Sequence, residues 1–147
     1  MNAPLMGGQM PWSNDLDVIC SYLTSVRSGS DLSNGSGKGI QGAGIYDQCG
    51  LPWGVGSRSS SSFLDEAPRM IYQLQEGALR AGVDNRPAPD FLLMQDPEEF
   101  LFCRRFLNDY YVVVSGTRGS FELFQGRIDR CVQMAESALK ERRTESP

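Results

Sequence analysis

Apolar residues recur at spacings of three and four in four stretches of this chain, and each stretch predicts an amphipathic helix. Leu16, Ile19, Leu23 and Val26 mark the first, opened by Ser13 or Asn14 as N-cap and closed by Ser28-Gly29. Met70, Ile71, Leu74, Ala78 and Ala81 mark a second over about residues 66–81, with Asp65 as cap and a Schellman-type stop at Gly82-Val83. Phe100, Cys103, Leu107, Tyr110 and Val114, widened by Leu101, Phe106 and Tyr111, mark a third over 97–114. It opens on the clearest local signal, Asp96-Pro97-Glu98-Glu99: an N-cap aspartate, proline at N1 and two acids facing the positive helix end. The β preference of Tyr110 to Val114 leaves its last turn open. Phe121, Phe124, Ile128, Cys131, Ala135 and Ala138 predict a fourth helix over 121–143, with Lys140, Arg142 and Arg143 at its negative end. The turn from Ser115 to Ser120 is short enough to fold the last two helices into an antiparallel hairpin with Leu107 and Ile128 inside.

The segments between lack such order. Residues 1–12 set Pro4, Gly7, Gly8 and Pro11 beside Met6, Met10 and Trp12, an irregular tail with apolar grip. From Ser28 to Ser62 glycine and serine dominate, and neither a helical nor a strand period survives. Glycine loses the most backbone freedom on ordering, so this stretch is expected to be an arm or linker that does not order itself. Larger residues stand among its glycines: Ile40, Ile45, Tyr46, Leu51, Trp53 and Val55. A spacer has no use for them, so Ile45, Tyr46, Leu51 and Trp53 are expected to anchor the arm on a partner. Asn85 to Pro89 forces extended backbone, and Phe91 to Met94 is either a short strand or a core plug.

The pattern predicts a mostly α protein: a small helical domain with a C-terminal antiparallel helical hairpin and a long Gly/Ser-rich extended arm. Its parts are a tail and short helix over 1–27, the arm over 28–62 and the helical domain over 63–147. At 147 residues the chain fits one hydrophobic core.

Composition narrows the partners. The net charge of −4 disfavours sequence-independent nucleic-acid binding, which needs Lys and Arg to neutralise phosphates, so nucleic acid is not the default partner. Lys38 and Lys140 are the only lysines; the arginines that make up the rest suit protein interfaces or reflect a GC-rich genome. Arg104 and Arg105, with Arg127 and Arg130, form either a solvated face or a partner-binding patch, and Arg104 and Arg105 are taken as candidate contacts. No Lys or Arg precedes Arg27, so no leader peptide is expected and the chain is read as starting at Met1. No apolar run approaches the roughly 20 residues that span a bilayer, so no membrane insertion is expected. Cys20, Cys49, Cys103 and Cys131 form no CxxC pair and are expected to be reduced. Cys103 and Cys131 lie in phase with apolar helix faces, which leaves a disulfide between packed helices geometrically open.

Catalytic chemistry is thin. The chain has no histidine, which removes His-based triads and mixed Cys/His zinc sites. Asn34 to Gly39 fails as a phosphate loop, because Leu32 stands where the first motif glycine belongs and Gly39 where Ser or Thr is required. No catalytic residue, metal site or cofactor is predicted. The expected function is a non-enzymatic structural or adaptor subunit of a larger assembly, such as a virion, bound to other protein subunits as a homo- or hetero-oligomer. It would act in the cytoplasm or the virion. The alternative is a small inhibitor or regulator, phage-encoded for example, that binds one target protein.

Overall fold

Between Ile40 and Thr117 most of the apolar sequence forms strands. The computed structural model describes residues 11–25, 39–57 and 63–145. The elements run α1 (Pro11–Ser25), β1 (Ile40–Asp47), β2 (Pro52–Ser57), α2 (Phe63–Val83), β3 (Phe91–Gln95), β4 (Glu99–Phe106), β5 (Tyr110–Thr117) and α3 (Ser120–Glu145). The strands make one antiparallel sheet in the order β2-β1-β5-β4-β3, so the first hairpin joins the later strands along β1 and β5. Helices α1 and α3 pack together on one face, and α2 covers the other.

The helix expected over 97–114, the helical hairpin and the mostly α class are overturned by β4 and β5. Phe100, Phe102 and Phe106 face the α1–α3 layer, whereas Leu101 and Cys103 face α2. A strand buried on both faces carries apolar residues at successive positions, and such a run contains every spacing, including three and four. Asp96 does behave as a cap: its Oδ1 accepts the N–H groups of Glu98 at 2.8 Å and Glu99 at 2.7 Å. The chain then turns back instead of coiling, with the Asp96 N–H donating to the Glu99 carbonyl at 2.9 Å. Helix starts and tight turns both offer successive free N–H groups, so one aspartate serves either. Leu107, expected inside the hairpin, stands in the β4–β5 turn at φ 52, next to Asn108 at φ 67.

The extended arm is corrected too. Residues 39–57 form the β1–β2 hairpin, while the remainder of 28–62 and the tail before residue 11 lie outside the described residues. The glycines serve close approach. A Cβ on Gly54 would come within 2.6 Å of the Leu16 Cβ, and one on Gly56 within 2.6 Å of the Ser21 nitrogen, so the α1 backbone rests directly on β2. Pairing with β5 and packing under α1 offset the entropy that glycine loses on ordering.

Helix α3 buries Phe124, Ile128, Cys131, Val132, Ala135 and Leu139 against the same layer. Helix α2 buries Ala67, Met70, Ile71 and Leu74 on the opposite face. Its Schellman ending falls at Asn85 (φ 57), three residues past Gly82: the Arg86 N–H reaches the Ala81 carbonyl at 2.7 Å and the Asn85 N–H the Gly82 carbonyl at 3.2 Å. Cys103 and Cys131 are on opposite faces of the sheet, which rules out the disulfide considered for them.

The close approach predicts opposite signs for two glycine substitutions. Gly56→Ala pushes α1 off the hairpin and lowers stability by about 2 kcal/mol. Gly126→Ala, in mid-α3 with nothing within 4 Å of the added Cβ, raises it by about 0.5–1 kcal/mol. Urea unfolding of the two variants beside the parent checks both signs.

Candidate protein interface

The two edges of the sheet are finished differently. At β2 the α1 helix lies across the strand, and the Asp17 carboxylate accepts the Val55 N–H at 2.8 Å. This edge strand is shielded from further pairing. At β3 the Arg105 N–H donates to the Asp90 carbonyl and the Asp96 N–H to the Glu99 carbonyl, both at 2.9 Å, which sets the phase of the ladder. Antiparallel alternation then directs the N–H and C=O groups of Phe91, Leu93 and Gln95 outward. No described residue pairs with that side of β3.

Apolar side chains flank the open edge. Phe91 is 57% exposed, with its ring 5.9 Å from that of Phe102, and Met94 on the α2 side is 45% exposed. The edge is held firmly in place. The Arg118 N–H donates to the Glu98 carbonyl at 2.8 Å, and its Nη1 to the Asp96 carbonyl at 3.1 Å. The Glu99 and Glu98 N–H groups, aided by the Arg118 charge, hold the Asp96 carboxyl below the usual carboxylate range. A second apolar stripe, Tyr72, Leu79 and Val83, runs along α2 opposite its buried face, and Val83 is 86% exposed.

The contacts expected from sequence do not come together. Ile45 and Tyr46 are core residues, each 2% exposed, and so cannot serve as surface anchors in this fold. Trp53 is half-buried, edge-on to Tyr110 at 5.6 Å, and its Nε1 donates to Asp47 Oδ2 at 3.1 Å. Leu51 is exposed in the β1–β2 turn. Arg104 pairs with Asp129 of α3 at 2.7 Å and Arg105 with Asp90 at 3.4 Å, on opposite faces of β4. Phe91, Met94, Tyr72, Leu79 and Val83 are exposed without having been expected at the surface from the sequence. The signal was present: α2 carries a second apolar stripe beyond the one its core requires, and Phe91 to Met94 lies between a proline-bounded entry and the Asp96-Pro97 turn.

The depressions suit a protein better than a small molecule. A notch of about 100 Å³ beside β3, lined by Met94, Gln95, Asp96, Glu99, Phe100 and Leu101, is smaller than ordinary ligand clefts. A larger one of about 480 Å³ has all its described lining on α3, Asp129, Arg130 and Gln133 among it, and so is an open trough. Among the described residues no group of three or more Cys, Asp or Glu is placed to hold a metal ion. No described helix is long and apolar enough to cross a membrane.

A five-stranded antiparallel sheet between one helix and a helix pair is matched in solved structures. MglB of Myxococcus xanthus superposes with a TM-score of 0.70 at 11% identity, over 90% of this chain and 93% of that one. A Roadblock/LC7 domain from Streptomyces avermitilis gives 0.66 at 15% identity, over 85% of this chain and 98% of that one. The chain has a Roadblock/LC7-type fold. An MglB in a tetrameric arrangement shares it, with a TM-score of 0.63 at 9% identity over 88% of this chain and 94% of that one. No family profile and no curated protein sequence matches the chain. This Roadblock/LC7-type architecture replaces the helical hairpin and, with it, the virion setting inferred from the arm.

Asp47 governs how Trp53 is presented. Its Oδ1 accepts the Cys49 N–H at 2.9 Å and the Leu51 N–H at 3.1 Å, besides the bond from Trp53. Burial pushes the carboxyl up, but bonds from Trp53, Leu51, Cys49 and Gly50 outweigh it and leave it below the usual range. A carboxyl depressed by folding stabilises above its unfolded value of about 4, and that contribution is lost as pH falls through the folded value. Asp47→Ala is expected to lower stability by about 1 kcal/mol near neutral pH and by progressively less in acid, read from urea midpoints across pH.

Proposed function

We propose that this chain is a non-enzymatic regulatory or adaptor protein that binds another protein chain through the open β3 edge, with the outer stripe of α2 as a second contact. The observation that carries the proposal is the asymmetry of the sheet. One edge is covered by α1 and Asp17; the other presents the backbone groups of Phe91, Leu93 and Gln95 between exposed apolar side chains. Open, apolar edges are sites of strand addition, where backbone bonds supply affinity and side chains supply selectivity. The fold supports the same reading, since Roadblock/LC7 domains are non-catalytic regulatory domains. A regulator that engages a target protein fits this surface better than an assembly subunit with a docking arm, because the residues proposed as arm anchors include the buried Ile45 and Tyr46.

A second copy of the chain is one occupant the edge accommodates, and the tetrameric arrangement of the MglB neighbour favours self-association. Leu51, exposed in the β1–β2 turn, is a further candidate contact. The setting proposed is the cytoplasm.

Gln95→Pro isolates the backbone contribution. The Gln95 N–H points outward and its side chain is exposed, so proline there removes no bond to β4 while blocking an added strand. Sedimentation, with mass spectrometry of co-purifying chains, is expected to find the parent in a homo- or hetero-complex. Gln95→Pro and Phe91→Lys are expected to weaken that complex at least about tenfold, the loss of roughly one good contact. Complexes of unchanged strength in both variants contradict the proposal.

A further inference from the structure

Helices α1 and α3 cross with two cysteines at the crossing. The Cys131 Sγ lies 3.8 Å from the Ile19 carbonyl oxygen, an atom that standard backbone dimensions place about 2.8 Å from the Cys20 Cα. The same crossing is registered one turn away, where Arg127 Nη1 donates to the Tyr22 hydroxyl at 2.8 Å. Cys20 and Cys131 belong to one apolar cluster, each 2% exposed, and both are free thiols. Cys103 is buried behind the sheet and Cys49 is exposed in the β1–β2 turn, so neither competes for this position.

We infer that Cys20 and Cys131 form a redox latch: oxidation joins them in a disulfide that fixes α1 on α3, and reduction frees α1 to move. The step needs a small-molecule disulfide such as oxidised glutathione. One cysteine, as thiolate, attacks a sulfur of that disulfide and releases one glutathione thiol; the second cysteine then displaces the other from the mixed disulfide. Two protons leave the protein, and the two electrons reduce the oxidant to two thiols. Burial, reinforced by Cys131, pushes the Cys20 thiol well above its ordinary range, and burial also raises Cys131 to about 11. The pair therefore reacts when α1 lifts from the sheet, which couples the latch to the helix that covers β2. The bond closes a loop of more than a hundred residues, so a clear gain in thermal stability accompanies it.

Peptide mapping reads the linkage directly, because trypsin leaves the four cysteines in four separate peptides, bounded by Arg27, Lys38, Arg58, Arg80, Arg104, Arg130 and Lys140. The full-length protein is equilibrated with oxidised glutathione, alkylated and digested without reduction. The expected product joins the peptide ending at Arg27 to the one beginning at Cys131, with the melting temperature raised by roughly 5 °C and restored by dithiothreitol. Cys131→Ala, a change to a small apolar side chain, is expected to keep the fold and lose both the cross-link and the rise. Cys20 and Cys131 still alkylated after oxidation that has fully modified Cys49, or Cys20 joined to Cys49 or Cys103 instead, overturns the inference.

Discussion

The structure depends on the contact between the α1 backbone and the glycines of β2. Gly54 and Gly56 present no side chain, so the helix sits against the strand with Leu16 and Ser21 at positions a Cβ would occupy. That depth brings Leu16, Cys20 and Leu23 into the core formed with Ile40, Ala43 and Ile45, and it puts Asp17 within reach of the Val55 amide. Seating α1 this low also leaves room for α3 beside it, where Ile128, Cys131 and Ala135 complete the layer. One local feature of composition thereby sets the helical layer and closes one edge of the sheet.

The features legible in the sequence were those carried by local chemistry. The apolar spacing from Leu16 to Leu23, and that from Phe121 to Ala138, correspond to helices α1 and α3, each of which turns an apolar face to the core. The strands β4 and β5 were not legible as strands, because a sheet covered on both faces erases the alternation that marks a half-exposed strand. Asp96 was read correctly as a cap and wrongly as a helix start, since the carboxylate satisfies successive amides in either setting. The better signal lay further on: Asn108-Asp109 between Phe106 and Tyr110 is a turn pair between two β-forming runs, and Leu107 and Asn108 both take positive φ there. The glycines from Gly42 to Gly56 were read as flexibility because their use for close packing becomes visible only once α1 is in place.

The candidate interface was less legible still. It consists of outward backbone groups of Phe91, Leu93 and Gln95, which no residue type announces, and its edge position follows from the strand order. Ile45 and Tyr46 drew attention as large residues among glycines, and the sheet uses them for its own two cores, one on each face. Arg104 and Arg105 drew attention as a charged pair, and each is engaged within the chain, by Asp129 and Asp90. What distinguishes the surface is the contrast between a closed edge and an open one, a property of topology and not of any motif.

Amide hydrogen exchange tests that contrast most directly, read residue by residue by NMR under conditions where sedimentation shows a single chain. Slow exchange is expected at Val55, whose N–H is held by Asp17, and fast exchange at Leu93 and Gln95, whose N–H groups face outward from β3. Leu93 and Gln95 as protected as Val55 in the single chain, or Val55 exchanging as fast as they do, contradicts the contrast.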